Sequence, residues 1–181
     1  MEQIKDPFDR LIGMLVWQVR RGHGSFLTME FGTPHLSVRE PIITKRDSSE
    51  RVQRHLARRR VSVYGDWHFW VQYGEWKLVT ADDILDSNDC AGSARDQCLG
   101  GLEGQRLLSV DVDKTTNSWS LNFDLAGALH IWPSTEIPED LWGLYIWNGN
   151  IISCQNDGKL VVEKRDGETA APAPEPGCNH G

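Results

Sequence analysis

Residues 67–74 read WHFWVQYG, and this stretch decides the fold that the sequence predicts. Trp67, Phe69 and Val71 fall on one register, and His68 and Trp70 fall on the other. Alternation with a period of two is typical of a half-buried β-strand, because successive side chains of a strand point to opposite faces. The closing glycine is a turn signal. Similar short alternating runs fill most of the chain, so we predict an all-β protein of antiparallel strands with minor α content.

The alternating runs recur in the same order, which indicates an internal duplication. The segments LIG at 11–13, LTMEF at 27–31 and LSV at 36–38 are echoed by LEG at 102–104, WSLNF at 119–123 and LHI at 129–131. The stretch WHFWVQYG is echoed by WGLYIWNG at 142–149. Each half is expected to form about five strands in meander order. Two duplicated halves that share a core would form a β-sandwich or a barrel.

The repeat divides the chain into four parts. Residues 1–80 form the first β repeat and residues 102–163 the second. Residues 81–101 form a linker, in which DDILD at 82–86 predicts a short helix and the later glycines predict a loop. Residues 164–181 are rich in proline and lack apolar periodicity, so we expect a disordered tail there.

Composition excludes several classes of function. The formal charge of −7 argues against general nucleic-acid binding, which depends on Lys and Arg density. The sequence has no basic start followed by an apolar run, and no apolar stretch of about 18 residues, so we expect neither a signal peptide nor a membrane helix. Cysteines at 90, 98, 154 and 178 show no metal-binding spacing. They predict reduced thiols in the cytoplasm, with a single disulfide as the open alternative.

The two halves differ most in the connection before the fourth strand. In the second half it is short and acidic, at residues 134–141, and in the first half it is a long basic insertion, at residues 42–60. Residues 45–60 carry seven basic and two acidic side chains, a net charge of +5, which leaves −12 on the rest of the chain. A short helix is expected in the insertion, capped by Asp47 or Ser48. Its candidate binding residues are Arg51, Arg54, Arg58, Arg59 and Arg60.

Two interpretations of the basic insertion remain open. It is either a docking surface for phosphate or for an acidic protein, or a basic helix that lies against the acidic surface of its own chain. Three tryptophans, Trp70, Trp132 and Trp147, lie on the registers that face away from the core. They are candidate binding residues as well, because clustered outward aromatic rings mark interfaces, unless other parts of the chain cover them.

Chemistry-bearing patterns are sparse. Asp66 and His68 are expected on the same face of one strand, and Glu75 joins them if the hairpin folds that way; the three are the only candidate catalytic set. The six histidines show no zinc-binding spacing, and neither a nucleophile elbow nor a phosphate-binding loop is present. We therefore expect no metal and no cofactor.

The segments GSFLTMEFG at 24–32, LSVREP at 36–41 and GDWHFW at 65–70 resemble a family of small, β-rich, uncharacterised bacterial proteins. The resemblance implies a bacterial protein of the same all-β class, and it brings no activity and no site residues with it.

These observations predict a non-enzymatic, cytoplasmic protein-binding module. Its partner would be another protein, with nucleic acid and membrane disfavoured. The first hypothesis is an immunity-type or regulatory protein that neutralises a basic toxin or effector through its acidic surface. A second is a subunit of a larger bacterial complex, such as a phage-defence complex, docked through the basic insertion. A third is a small hydrolase or metal enzyme that uses Asp66, His68 and Glu75.

Overall fold

Short antiparallel strands make up most of the structure, a computed structural model that describes residues 7–22, 24–42, 49–88, 93–134 and 139–164. The strands are β1 (Val16–Arg21), β2 (Leu27–Phe31), β3 (His35–Arg39), β4 (Arg60–Tyr64), β5 (Trp67–Val71), β6 (Glu75–Val79), β7 (Ile84–Asp86), β8 (Leu107–Asp113), β9 (Ser118–Phe123), β10 (Ala128–Trp132), β11 (Asp140–Ile146), β12 (Ile151–Gln155) and β13 (Leu160–Glu163). The helices are α1 (Glu50–Leu56) and α2 (Ser93–Leu102). The predicted all-β class with minor α content is confirmed. The proline-rich tail from residue 165 onward lies outside the described residues.

The strands form two large sheets and one small ribbon. The first sheet has the order β1-β2-β5-β11-β12-β13, and the second has the order β7-β6-β10-β9-β8. Strands β3 and β4 pair only with each other among the described strands. None of the helices in the described ranges is both long and apolar enough to cross a membrane.

The sheet order repeats the same path twice, which confirms the internal duplication. The first half contributes β1, β2 and β5 to the first sheet, and the chain then enters the second sheet, where it forms β6 and β7. The second half contributes β8, β9 and β10 to the second sheet, and the chain then returns to the first sheet, where it forms β11 and β12. Each sheet therefore contains strands from both halves, whereas the sequence suggested a separate meander for each half.

Reciprocal hydrogen bonds join the halves where β1 meets β8. The Gly13 amide donates to the Leu107 carbonyl at 2.7 Å, and the Gly104 amide donates to the Val16 carbonyl at 2.8 Å. Gly13 of the first half is equivalent to Gly104 of the second, and Val16 is equivalent to Leu107. Each bond therefore joins the same two positions in the opposite sense, as an approximate two-fold relation between the halves requires. Both glycines have positive φ, of 85° and 81°, which glycine adopts without steric cost.

The topology changes the strand correspondence that the sequence suggested. In the repeated path β5 is equivalent to β10, and β11 is equivalent to β6, so residues 67–74 and 142–149 are not equivalent. Residues 36–38 of β3 and 129–131 of β10 are not equivalent either. These two stretches are instead neighbours: β5 pairs with β11, with Phe69 opposite Leu144. An alternating run that closes with glycine describes any half-buried strand before a turn, so the pattern alone does not identify which strands correspond.

One hydrophobic core lies between the two large sheets. At its centre Trp119 of the second sheet meets Trp142 of the first edge-to-face, with ring centroids 4.9 Å apart. Phe8 packs on Trp142 at 5.2 Å and on Phe69 at 5.6 Å. Edge-to-face packing suits aromatic rings because the positive ring edge meets the negative face.

The linker between the halves differs from its prediction. Residues 84–86 form β7 and not a helix, because Leu85 pairs with Leu78 of β6 and is buried. The helix of this region, α2, begins later, at Ser93, and includes two of the glycines that predicted a loop. The side chains of Cys98 and Leu102 attach α2 to the rest of the protein, since both are buried in the hydrophobic core. Tertiary pairing and burial override local propensity here.

Candidate functional site

A β-ribbon projects from the first sheet, and we call residues 33–64 the arm. Its strands β3 and β4 pair from His35 opposite Tyr64 to Arg39 opposite Arg60. The ribbon begins just beyond the point where β2 and β5 pair, at Phe31 opposite Trp67. The second half connects the equivalent strands, β9 and β10, by a short turn. The segment that lacks a counterpart is therefore the whole ribbon, which is longer than the predicted insertion at 42–60.

Helix α1 lies at the tip of the arm. Ser49 is its N-cap and accepts a hydrogen bond from the Val52 amide at 3.4 Å. The predicted caps, Asp47 and Ser48, lie outside the described residues. No residue of α1 is buried, and Val52 is 44% exposed. Gln53 and Leu56 are half-buried, so the packing of a basic helix against its own chain stays an open interpretation.

Two carboxylates cross the base of the arm and bind its two ends. Glu30, which precedes the arm, accepts a hydrogen bond from the Gly65 amide after it, at 2.8 Å. Asp66, which follows the arm, accepts one from the Thr33 amide at its start, at 2.7 Å. We call this reciprocal arrangement the crossed clamp. It fixes both ends of the ribbon relative to the sheet.

Each clamp carboxylate also binds a histidine. His68 Nδ1 lies 2.6 Å from Glu30 Oε1, and both side chains are buried. His35 Nε2 lies 2.7 Å from Asp66 Oδ1, and these side chains are 30% and 38% exposed. Burial raises the pKa of the Asp66 carboxyl, but the hydrogen bonds from His35 and Thr33 outweigh it and hold that pKa below its usual value.

Glycine is required at two positions of the clamp because the backbones approach closely. A Cβ atom at position 65 would lie 2.3 Å from the Phe31 carbonyl oxygen, which cannot move without shifting β2. Gly32 has φ of 81°, and a Cβ atom there would lie 2.5 Å from an Asp66 carboxylate oxygen. The sequence places both glycines directly beside the carboxylates that they accommodate.

An aromatic network covers the outer face of the first sheet beside the clamp. Trp147 stacks on His35, with centroids 4.8 Å apart and planes 6° apart, and faces Tyr64 at 6.4 Å. The His68 ring contacts the rings of Tyr64 and Tyr145. The Tyr145 ring in turn contacts that of Trp70. Predicted binding residues Trp70 and Trp147 therefore belong to one half-buried group.

Trp132 lies apart from this network, on β10 of the second sheet, opposite Glu75 of β6. It is 37% exposed. The three outward tryptophans thus do not form one surface. The alternation placed Trp70 and Trp132 correctly on strands, whereas Trp147 lies in the turn after β11. It could not show that β5 and β10 lie in different sheets.

The structure separates the predicted catalytic set. Asp66 lies at a bend before β5 and binds His35, whereas His68 binds Glu30. Glu75 lies on β6 and accepts a hydrogen bond from the Ser87 hydroxyl. No group of three or more potential metal ligands occurs within the described ranges. Asp66 lies at the bend just before β5 and not on the strand, and its partners are His35 and Thr33, so a shared role for Asp66 and His68 stays a prediction.

One face of the arm is apolar and exposed. Leu36 and Val38 of β3 share this face with Val61 and Val63 of β4, because Leu36 pairs with Val63 and Val38 pairs with Val61. Leu36 is 69% exposed, Val61 57% and Val38 51%. A contiguous row of exposed apolar side chains on a protein surface is typical of an interaction site. We call these four residues the apolar row.

Arginines lie at the start of β4 and just before it, and Arg60 is on the face opposite the apolar row. The side chains of Arg58 and Arg60 make no polar contact within the part of the chain that the structure describes. Arg59 donates to both carboxylate oxygens of Glu40, with contacts of 2.8 to 3.0 Å, and this hydrogen bonding holds the pKa of Glu40 below its usual value. On α1, Arg54 donates to the Glu50 carbonyl, and Arg51 is exposed.

Several of these residues could not be predicted from the sequence. Glu30, His35, Tyr64 and Tyr145 gave no signal, since each pairs with a residue that is distant in sequence. Leu36 and Val38 were assigned only as part of a strand, and their exposure follows from the ribbon leaving the sheet.

The chain matches no protein-family model, and neither a curated protein nor a solved structure is significantly similar to it. Residue roles therefore rest on the geometry of this chain alone.

Proposed function

We propose that this chain is a cytoplasmic, non-enzymatic protein-binding module that docks through the arm onto an acidic protein, as a subunit of a larger bacterial complex. The observation that supports the proposal is the apolar row, which is 51–69% exposed at three of its four positions. Arg60, on the opposite face of β4, and Arg58, just before β4, have no partner within the described residues. Exposed apolar surface marks interaction sites, and arginine is enriched at protein interfaces.

Charge supports a protein partner over a nucleic acid. Residues 33–64 hold eight basic and three acidic side chains, a net charge of +5, and the rest of the chain carries −12. That acidic remainder would repel a phosphate backbone. A compact acidic patch on a protein surface can contact the arm without facing the remainder.

The crossed clamp supports binding because it holds the arm in one orientation before any partner arrives. A ribbon that hinged freely at residues 32–34 and 65–66 would lose conformational entropy on docking. Preorganisation removes part of that cost, which otherwise amounts to about 0.5–1.5 kcal/mol for each immobilised side chain.

The test is native capture from an extract of the source cells, with the wild type and an Arg58→Glu/Arg60→Glu variant side by side. A Lys114→Glu/Lys159→Glu variant is the matched control, because it makes the same charge change at exposed positions outside the arm. We expect an acidic protein to co-purify with the wild type and the control and to be lost from the arm variant. Equal capture by all three proteins would refute docking through the arm.

A specific observation favours the immunity-type or regulatory alternative. Strand β8 lies at an edge of the second sheet, and Asp111 and Asp113 are exposed on it. Such an acidic edge suits a basic toxin or effector. In the same capture experiment, a basic partner that the arm variant retains and an Asp111→Lys/Asp113→Lys variant loses would establish this alternative.

A further inference from the structure

We propose that the arm receives its partner as an added β-strand along the open edge of β4, and that the added segment alternates apolar and acidic residues. The proposal rests on the proposed function and specifies the partner's chemistry.

The edge of β4 is open in the described structure. Strands β3 and β4 form a two-stranded ribbon, and no other described strand pairs with β4. The outer N–H and C=O groups of such an edge are a template for another extended chain. Main-chain hydrogen bonds then supply affinity, and alternate side chains supply specificity.

Proline distinguishes the two edges of the ribbon. Pro34 directly precedes β3, and Pro41 follows it after one intervening residue, whereas the run from Arg58 to Tyr64 contains no proline. Proline has no N–H to donate and is a common device for blocking an edge strand. The β4 edge is therefore the better acceptor.

Side-chain alternation on β4 defines the partner. Val61 and Val63 lie on the apolar face, and Arg60 and Ser62 lie on the opposite face. Directly opposed side chains of neighbouring strands contact one another, so apolar residues of the added strand would meet the valines. Acidic residues of the other register would meet Arg60.

Charge also disfavours a second copy of this chain as the occupant. Pairing the β4 edges of two arms would bring two segments of net charge +5 together. Segments of like net charge repel each other, whereas an acidic strand is attracted. The net charge of the arm therefore disfavours pairing of the ribbon with itself.

The test uses a synthetic peptide of about seven residues, long enough to span β4, that alternates glutamate and valine and has both ends blocked. Two further peptides have the same sequence. The first carries an N-methyl group on the backbone amide of every glutamate, and the second carries one on the backbone amide of every valine. In an added strand only one of these two sets of amides faces β4. We expect one N-methylated peptide to bind about tenfold more weakly than the parent and the other to bind almost as well, followed through the amide signals of Arg60–Tyr64.

Protein variants complete the test. Val61→Glu should abolish peptide binding, and Val162→Glu, the same change on edge strand β13, should leave it intact. Absence of parent binding, or equal binding of the two N-methylated peptides, would overturn the strand-addition proposal. Self-association of the wild type that Val61→Glu abolishes would identify a second copy as the occupant and would also overturn it. Loss of the captured partner from the Arg58→Glu/Arg60→Glu variant would still support the proposed function if strand addition failed.

Discussion

The crossed clamp predicts unequal costs for two chemically matched substitutions, Glu30→Gln and Asp66→Asn. Each replaces one carboxylate oxygen with an amide nitrogen that cannot accept a hydrogen bond. At Glu30 either the Gly65 amide or His68 then loses its acceptor in a site that is closed to water. Hydrogen bonds to charged groups contribute about 1.5–3 kcal/mol, so we expect Glu30→Gln to lower the free energy of unfolding by about 2–3 kcal/mol.

The Asp66 side chain is 38% exposed, and water can replace the lost acceptor there. We expect Asp66→Asn to cost less than about 1 kcal/mol. Urea unfolding followed by tryptophan fluorescence measures both costs. Hydrogen exchange reports which partner loses its acceptor, because the Gly65 amide in Glu30→Gln, or the Thr33 amide in Asp66→Asn, exchanges faster where the new amide nitrogen faces it.

The pH dependence of Asp66→Asn provides a further check. Since the folded pKa of Asp66 lies below its unfolded value, its contribution to stability is complete above pH about 4. It is lost as the pH falls through the folded pKa, so the gap between wild type and Asp66→Asn should close in that range. Equal costs for the two substitutions at neutral pH would refute the clamp.

Further predictions follow from close approach, burial and thiol chemistry. Gly65→Ala should destabilise the fold, since its Cβ atom would meet the Phe31 carbonyl, whereas Gly100→Ala in α2 should stabilise it by about 0.5–1 kcal/mol, since nothing lies within 4 Å there. Thermal unfolding of the two variants compares them. Burial raises the pKa of Asp140, so Asp140→Asn should be more stable than the wild type at pH 7, and urea titrations should show the gain vanishing near pH 4. Burial raises the pKa of Cys154 to about 12, so this thiol should resist alkylation at pH 8 until the protein unfolds, which mass spectrometry of the labelled protein would show.

The sequence predicted the class of the fold because alternation and turn residues are local signals. Trp119, Leu121 and Phe123 repeat the register of Leu27, Met29 and Phe31, and all six side chains are buried. Burial of one face of a strand imposes the same period wherever it occurs. The duplication was visible for the same reason.

Long-range pairing determines what the sequence could not predict. Glu30 and His68 meet because β2 and β5 are neighbours in register. No local pattern encodes that contact, whereas the spacing of Asp66 and His68 suggested a different one. Similarly, Leu36 and Val61 read as ordinary strand residues, and only the departure of the ribbon from the sheet exposes them.

For the candidate binding residues, too, local composition could be read from the sequence and long-range contacts could not. The cluster of arginines is evident from composition, so the basic insertion was correctly singled out as unusual. Composition could not show that Arg59 is paired with Glu40, or that Arg60 lies on a strand whose other face is apolar. Those facts depend on the pairing of β3 with β4.

Site-specific photo-crosslinking in the source cells tests docking through the arm most directly. A photoreactive amino acid replaces Val61 in one variant and Val162 in another, so that both positions lie on exposed edge strands. We predict that the probe at position 61 crosslinks to one acidic protein and that the probe at position 162 does not. Crosslinking from position 162 alone, or an absence of crosslinks from position 61, would contradict the assignment of the arm as the binding site.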